Sequence, residues 1–89
     1  MRAIITVIGK DKVGIIAAVT AILAKTGSNI LDINQTVMQD FFTMITLVDI
    51  ENLKISFAEL KEQLNKLGEE MELSIRIQRE EIFSAMHRI

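Results

Sequence analysis

The stretch GKDKVGIIAAVTAILAKTGSNILDINQTV, which runs from Gly9 to Val37, contains the transition that decides the fold of this chain. A strand-like run ends at its first residue, an apolar helical pattern follows, and a second strand-like run begins at Asn29. Asp11 or Lys12 is expected to open the helix, with Asp11 as its N-cap. Gly27 is expected to end the helix at about residue 26, because glycine readily adopts the left-handed conformation of a C′ residue.

The segments outside this stretch complete a pattern of four strands and two helices. One strand, Ala3–Gly9, is predicted before it, and strands at Phe41–Ile50 and Met71–Gln78 are predicted after it. Between the last two strands, Ser56 begins a capping box, with a glutamate three residues later, and an apolar stripe follows at helical spacing. Gly68 is expected to stop this second helix.

The alternation of polar and apolar residues separates central strands from edge strands. Ala3–Gly9 and Phe41–Ile50 are apolar on both faces, which is typical of central strands, whereas Asn29–Met38 and Met71–Gln78 alternate like edge strands. The order is β-α-β-β-α-β. The sequence therefore predicts an α+β protein with the ferredoxin-like plan, in which a four-stranded antiparallel sheet carries two helices on one face.

Much apolar surface remains uncovered in that plan. The two central strands are apolar on both faces, and the first helix is apolar nearly all round. We therefore expect a homodimer or a larger homo-oligomer. Residues 1–79 are predicted to form the domain, and residues 80–89 a short helical tail that packs on the domain or on a partner subunit. The tail places Ile82, Met86 and Ile89 on one helical face, with Phe83 beside them. The tail, a partner subunit or both are expected to cover the second face of the sheet.

Composition excludes several classes of function. The chain has 89 residues, a net charge of −2, no cysteine and no Trp or Tyr, which argues against a nucleic-acid partner and against a thiolate metal site. The longest apolar run, Val13 to Ala24, is shorter than the roughly 20 residues of a membrane span. The first residues show no secretory signal. We expect a cytoplasmic protein with no membrane partner.

The loop from Gly9 to Gly14 has the spacing G-x-x-x-x-G, which forms the first six positions of a phosphate-binding P-loop. A P-loop continues with Lys and then Ser or Thr, whereas this chain continues with Ile15 and Ile16. Nucleotide hydrolysis is therefore not predicted. Two interpretations stay open on the residues alone. The glycines serve only turn geometry and packing, or the free N–H groups of the helix N-terminus hold a single carboxylate.

Side chains that commonly catalyse reactions or bind metals show no functional spacing. His87 is the single histidine and has no spaced partner for a metal site. No serine or threonine lies in a nucleophile elbow. The carboxylates at edge and turn positions form no acid–base couple by spacing; they are Asp32, Asp40, Asp49 and Glu51. The sequence therefore predicts that this protein is not an enzyme and has no cofactor and no metal site.

The opening half of the chain resembles ACT domains, small regulatory modules with the same βαββαβ order. Their pattern is a strand, then Asp-(Lys/Arg)-x-Gly-(Ile/Leu), a helix, a glycine, and Asn-Ile at the next strand. The resemblance extends over about residues 1–79. The whole chain also resembles small stand-alone ACT-domain proteins and is similar to part of the glycine-cleavage-system transcriptional repressor family. The matching residues are Asp11, Lys12, Gly14, Ile15, Gly27, Asn29 and Ile30.

The resemblance implies an amino-acid-binding regulatory module that dimerises and signals to a separate, unknown protein partner. In the family, ligands lie where the loop before the first helix meets the second strand, often that of a neighbouring subunit. The implied ligand-binding residues are Asp11, Lys12, Val13, Gly14, Asn29 and Ile30. Backbone N–H groups near Gly14 would hold the α-carboxylate, Asp11 the ammonium, and Asn29 either end. The alternative is a ligand-free interaction module that docks on an enzyme or a transcriptional regulator.

Overall fold

The computed structural model describes residues 1–10 and 14–81, and the predicted chain order is confirmed. The predictions for Asp11, Lys12 and Val13 and for the tail stripe lie outside the described residues. The elements are β1 (Arg2–Gly9), α1 (Ile15–Thr26), β2 (Asn29–Met38), β3 (Phe41–Asp49), α2 (Phe57–Met71) and β4 (Ser74–Arg79).

The four strands form one antiparallel sheet in the order β2-β3-β1-β4. The two strands that are apolar on both faces lie in the centre, and the two alternating strands lie at the edges, as predicted. In the register, Val7 of β1 lies opposite Met44 of β3 and Ile75 of β4. A bulge interrupts the pairing of β2 with β3 between Ile30 and Asp32.

The hydrophobic core lies between the two helices and one face of the sheet. Every second residue of the central strands points into it, because side chains alternate across a strand. The largest fully buried apolar side chains are Ile5, Val7, Ile15, Val19, Leu23, Met44, Val48, Leu60 and Leu64. The helices therefore cover one face of the sheet, as the ferredoxin-like plan requires.

The opposite face, here called the back face, carries apolar side chains that remain accessible to solvent. Phe42 is buried and faces the helices, so its neighbour Phe41 lies on the back face, where it is 50% exposed. Ile8 and Ile45 lie on the same face and are each 42% exposed. Among the described elements, neither helix covers this face.

Helix α2 does not end at Gly68, so that prediction is wrong. The helix continues to Met71, and Glu72 caps it in the left-handed conformation with φ 57°. A Cβ at Gly68 would lie 2.9 Å from the Leu73 carbonyl oxygen, so glycine is needed there for the close approach of the chain after the helix. Because the helix is longer, β4 begins at Ser74 rather than at Met71.

Helix α1 also begins later than the pattern indicates, at Ile15, with Gly14 as its N-cap. Gly14 adopts a left-handed conformation with φ 75°, which separates the loop from the helix. The predicted end is confirmed. Gly27 adopts φ 86°, and the Ser28 N–H donates to the Leu23 carbonyl at 2.9 Å.

Candidate functional site

Among the described residues, the N-terminus of α1 has no side-chain cap. The first N–H groups of any helix have no intrahelical acceptor, and Gly14 has no side-chain oxygen to accept from them. The Ala18 N–H makes the first helical bond, to the Gly14 carbonyl at 2.9 Å. A Cβ at Gly14 would meet no atom of residues 1–10 or 14–81 within 4 Å. This helix end can therefore accept a carboxylate, aided by the positive end of the helix dipole.

A cleft of about 560 Å³ adjoins this helix end, at the end of β1. It lies between the last residues of β1, the first residue of β3 and the turn from α2 to β4. Lys10 and Glu72 are the charged residues in the described lining. The rest of the described lining is mainly apolar: besides Gly9 and Ser74 it contains Ile8, Ile15, Phe41, Met71 and Leu73. The cleft is suited to an apolar group attached to a polar one.

Asn29 and Ile30, the other described part of the predicted site, lie at the opposite end of the same sheet. Asn29 pairs with Asp49, which in turn pairs with Arg2 at the start of β1. Gly9 is the other end of β1, and helix α1 begins near it, at Ile15. Eight residues of strand separate the two ends by about 20–25 Å. A single chain therefore does not bring Gly14 and Asn29 together.

A second groove runs between α1 and the start of β2. Its volume is about 560 Å³, and its lining consists of Ala17, Thr20, Ala21, Ala24, Ser28, Asn29 and Ile30. The Thr20 hydroxyl donates to the Ile16 carbonyl at 2.7 Å, so its polar atom already has a partner. With mostly small side chains, this surface allows another protein segment to approach closely.

The edge strand β2 borders this groove and leaves large apolar side chains exposed. Leu31 is 45%, Val37 60% and Met38 69% exposed. Among the described strands β2 pairs with β3 alone, so its other edge presents unpaired backbone N–H and C=O groups. Both the backbone edge and the side chains of β2 are available to a partner.

Two contacts of charged side chains connect neighbouring parts of the described fold. The Arg2 guanidinium contacts both oxygens of Glu80 at 2.7 Å, and the Glu51 N–H donates to the Asp49 carboxylate at 2.9 Å. Residues 1–10 and 14–81 hold no cluster of three metal-ligating side chains. None of the helices in these ranges is long and apolar enough to cross a membrane.

Sequence reasoning missed the cleft at the end of β1. The strand pattern places Phe41 in a central strand, and no pattern marks Lys10 or Glu72. Three segments far apart in the chain form the cleft, so no local pattern marks it. The signal that the sequence does carry is the position of Phe41 directly after the tight connection at Gln39 and Asp40.

Comparison with known proteins agrees with this architecture. The model of the ACT domain family matches residues 2–78. A UPF0237 protein of Clostridium acetobutylicum is 55% identical over the full length of both chains. The structure of an ACT domain protein from Streptococcus pneumoniae matches with a TM-score of 0.82 and 44% identity, over 98% of each chain.

A more distant structure, of a putative glycine cleavage system transcriptional repressor, matches with a TM-score of 0.73 and 25% identity. The match covers 88% of this chain and 44% of that one. ACT domains are in general regulatory, ligand-binding modules. The family match over residues 2–78 and the full-length similarity to its relatives show that this chain belongs to the ACT domain family.

Proposed function

We propose that this protein is a regulatory module that binds an amino acid between two copies of the chain and signals the bound state to a separate protein. The observation that carries the proposal is the placement of Gly14 and Asn29 at opposite ends of one sheet. Both positions match the ligand-binding pattern of the family, and only a second copy can supply them at the same place.

Antiparallel pairing of β2 with its own copy would bring these parts together. In one chain, Val37, Phe42 and Gly9 lie in one row across the sheet. A two-fold axis beside β2 places the start of the second β2 next to Val37. Asn29 of the partner subunit then lies about 14 Å from Gly9 of the first chain, because three strand spacings separate them. The two parts are then nearer to each other than within one chain.

The bulge in β2 supports a particular register for this pairing. With Asn34 opposite Asn34 of the partner subunit, Ile30 faces the partner's Val37 and Asn29 faces the partner's Met38. Ile30 and Val37 both lie on the helix side of the sheet, opposite the buried Val48 and Phe42. Without the bulge they would point to opposite faces. In this register Val37 approaches the partner's groove of small residues beside α1.

The ligand would be held by complementary groups of the two subunits. The N–H groups at the start of α1 would bind the α-carboxylate, and Asn29 and Ile30 of the partner subunit would close the site. By resemblance to the family, Asp11, Lys12 and Val13 complete it, with Asp11 on the ammonium group. A ligand that bridges two chains stabilises the dimer arrangement for which it has the higher affinity.

The test is a thermal-shift panel of the twenty amino acids on the native chain, with Asn29→Ala beside it. A ligand at 100 times its Kd adds about 2.7 kcal/mol of stability, which is several degrees for a domain of this size. A shift that Asn29→Ala removes supports the proposal. Asn65→Ala, at an exposed position on α2, is the matched control and keeps the shift. A native chain that is monomeric at micromolar concentration in light scattering overturns the shared site.

The back face favours the alternative, a ligand-free interaction module. Phe41 and Ile45 offer apolar area there that the amino-acid site does not fully use. The tail, residues 80–89, is proposed to cover part of this face. The pair between Glu80 and Arg2 supports this, because Arg2 lies on the back face and holds the start of the tail beside it. A flat amino-acid panel on an intact dimer would support this alternative.

A further inference from the structure

We infer that the cleft at the end of β1 is the subsite for the ligand's side chain, and that the ligand is therefore an amino acid with a large, uncharged apolar side chain. This inference rests on the proposed function. It adds to that function the class of amino acid that is recognised.

The first argument is the position of Ile15. Its side chain lines the cleft and is 1% exposed, whereas its backbone N–H is the first donor of α1. A carboxylate bound at this helix end is therefore next to the cleft mouth. The side chain on the ligand's α-carbon can enter the cleft without leaving the anion site.

The second argument is the apolar surface that the cleft leaves in water. Phe41 is 50% exposed and Ile8 is 42% exposed, although both line a concave surface. Met71 and Leu73 are half-buried in the same wall. An aliphatic or aromatic group in the cleft would remove this area from water, which is favourable roughly in proportion to the area.

The third argument is charge. Lys10 and Glu72 are the charged residues of the described lining, and both are exposed, so the charges face solvent at the rim of the cleft. A charged ligand side chain would lose its hydration among the five apolar residues of the lining.

The experiment is calorimetric titration of the native dimer with leucine, methionine and phenylalanine, and with glycine, serine, aspartate and lysine. At least one of the first three is expected to bind about tenfold tighter than glycine or more, since small differences in apolar volume change affinity by 10- to 200-fold. Phe41→Ala is expected to reduce this preference about tenfold with little change for glycine, and Phe41→Leu to retain most of it.

Ile45→Ala is the matched control, because Ile45 is as exposed as Ile8 but does not line the cleft. It should leave the preference unchanged. If glycine or aspartate binds as tightly as leucine, or if Phe41→Ala weakens all ligands equally, this inference is wrong and the proposed function stands. If none of the seven amino acids binds and the full panel is also flat, the proposed function fails as well.

Discussion

The N-cap of helix α2 is Ser56, whose hydroxyl accepts a hydrogen bond from the Glu59 N–H at 3.1 Å. The N-cap of α1 is Gly14, which has no side chain. The two helices occupy equivalent places in the two halves of the fold. The N-terminus of α2 has a side-chain cap, whereas within the described residues that of α1 has none, and a Cβ at Gly14 would meet no described atom within 4 Å. The cap of α2 therefore contributes to stability, while the first turn of α1 is where we propose that the ligand binds.

The same contrast extends to the outer surfaces of the two halves. Strand β4 has six residues and carries Arg76 on its exposed side, which discourages pairing with another chain. Strand β2 has ten residues and exposes Val37 and Met38. Within the described residues, the first half therefore exposes more apolar surface at its edge strand than the second, and we propose that a second copy covers it. Three substitutions test this contrast, in order of decreasing effect on the free energy of unfolding.

The largest effect is expected where the first half is closely packed, at the end of α1. Gly27→Ala places a Cβ 2.7 Å from the Asn52 carbonyl oxygen at a left-handed residue. We expect a loss of about 1–2 kcal/mol from the backbone conformation, and more from the displaced backbone. Gly14→Ala is the matched control, because its φ is similar but no described atom lies within 4 Å of the added Cβ, and it should cost only the loss from the backbone conformation. If the two variants lose the same free energy in urea unfolding, the close contact between residue 27 and the Asn52 carbonyl does not matter for stability.

A smaller loss is expected from the capped helix of the second half. Ser56→Ala removes the acceptor for the Glu59 N–H and should lower the free energy of unfolding by about 1 kcal/mol. Ser56→Thr keeps a hydroxyl at that position and should recover most of the loss. If Ser56→Ala leaves the urea midpoint unchanged, the cap does not distinguish the two helices.

The third substitution, Ala21→Glu on α1, is expected to change the stability of the monomer least and its assembly strongly. Ala21→Glu places a charge in the groove between α1 and β2, where Ala21 is exposed. Glutamate is a good helix former, so the helix itself should remain within about 0.5 kcal/mol. Light scattering should show a monomer for this variant. Ala58→Glu, at an exposed position on α2, is the control and should remain a dimer. If both variants dimerise, the groove is not the interface.

The sequence predicted most of the fold because the signals are local. Alternation along β1 to β4 separated central from edge strands, and Ser56 and Gly27 marked helix ends through hydrogen bonds within a few residues. Gly68 shows where this logic fails. Glycine is common after helices and also where two segments pass closely, and only the position of Leu73 distinguishes the two roles.

The candidate site was predicted less completely than the fold. Gly14 and Asn29 were selected by a family pattern that contains no information on which subunit supplies each residue. Their separation in one chain follows from the direction of β1 and α1, and from the register of β2 with β3. The cleft that Phe41 and Glu72 line was not predicted, because it forms only when three distant segments meet.

By itself, the sequence determined the order of the elements, the placement of the strands and the ends of the helices that carry their own capping residues. These features depend on periodicity and on hydrogen bonds between near neighbours. The tertiary structure alone decided the role of Gly68, the bulge at Leu31, the cleft at the end of β1 and the distance between Gly14 and Asn29. Those features depend on contacts between residues far apart in the chain, for which a local pattern carries no signal.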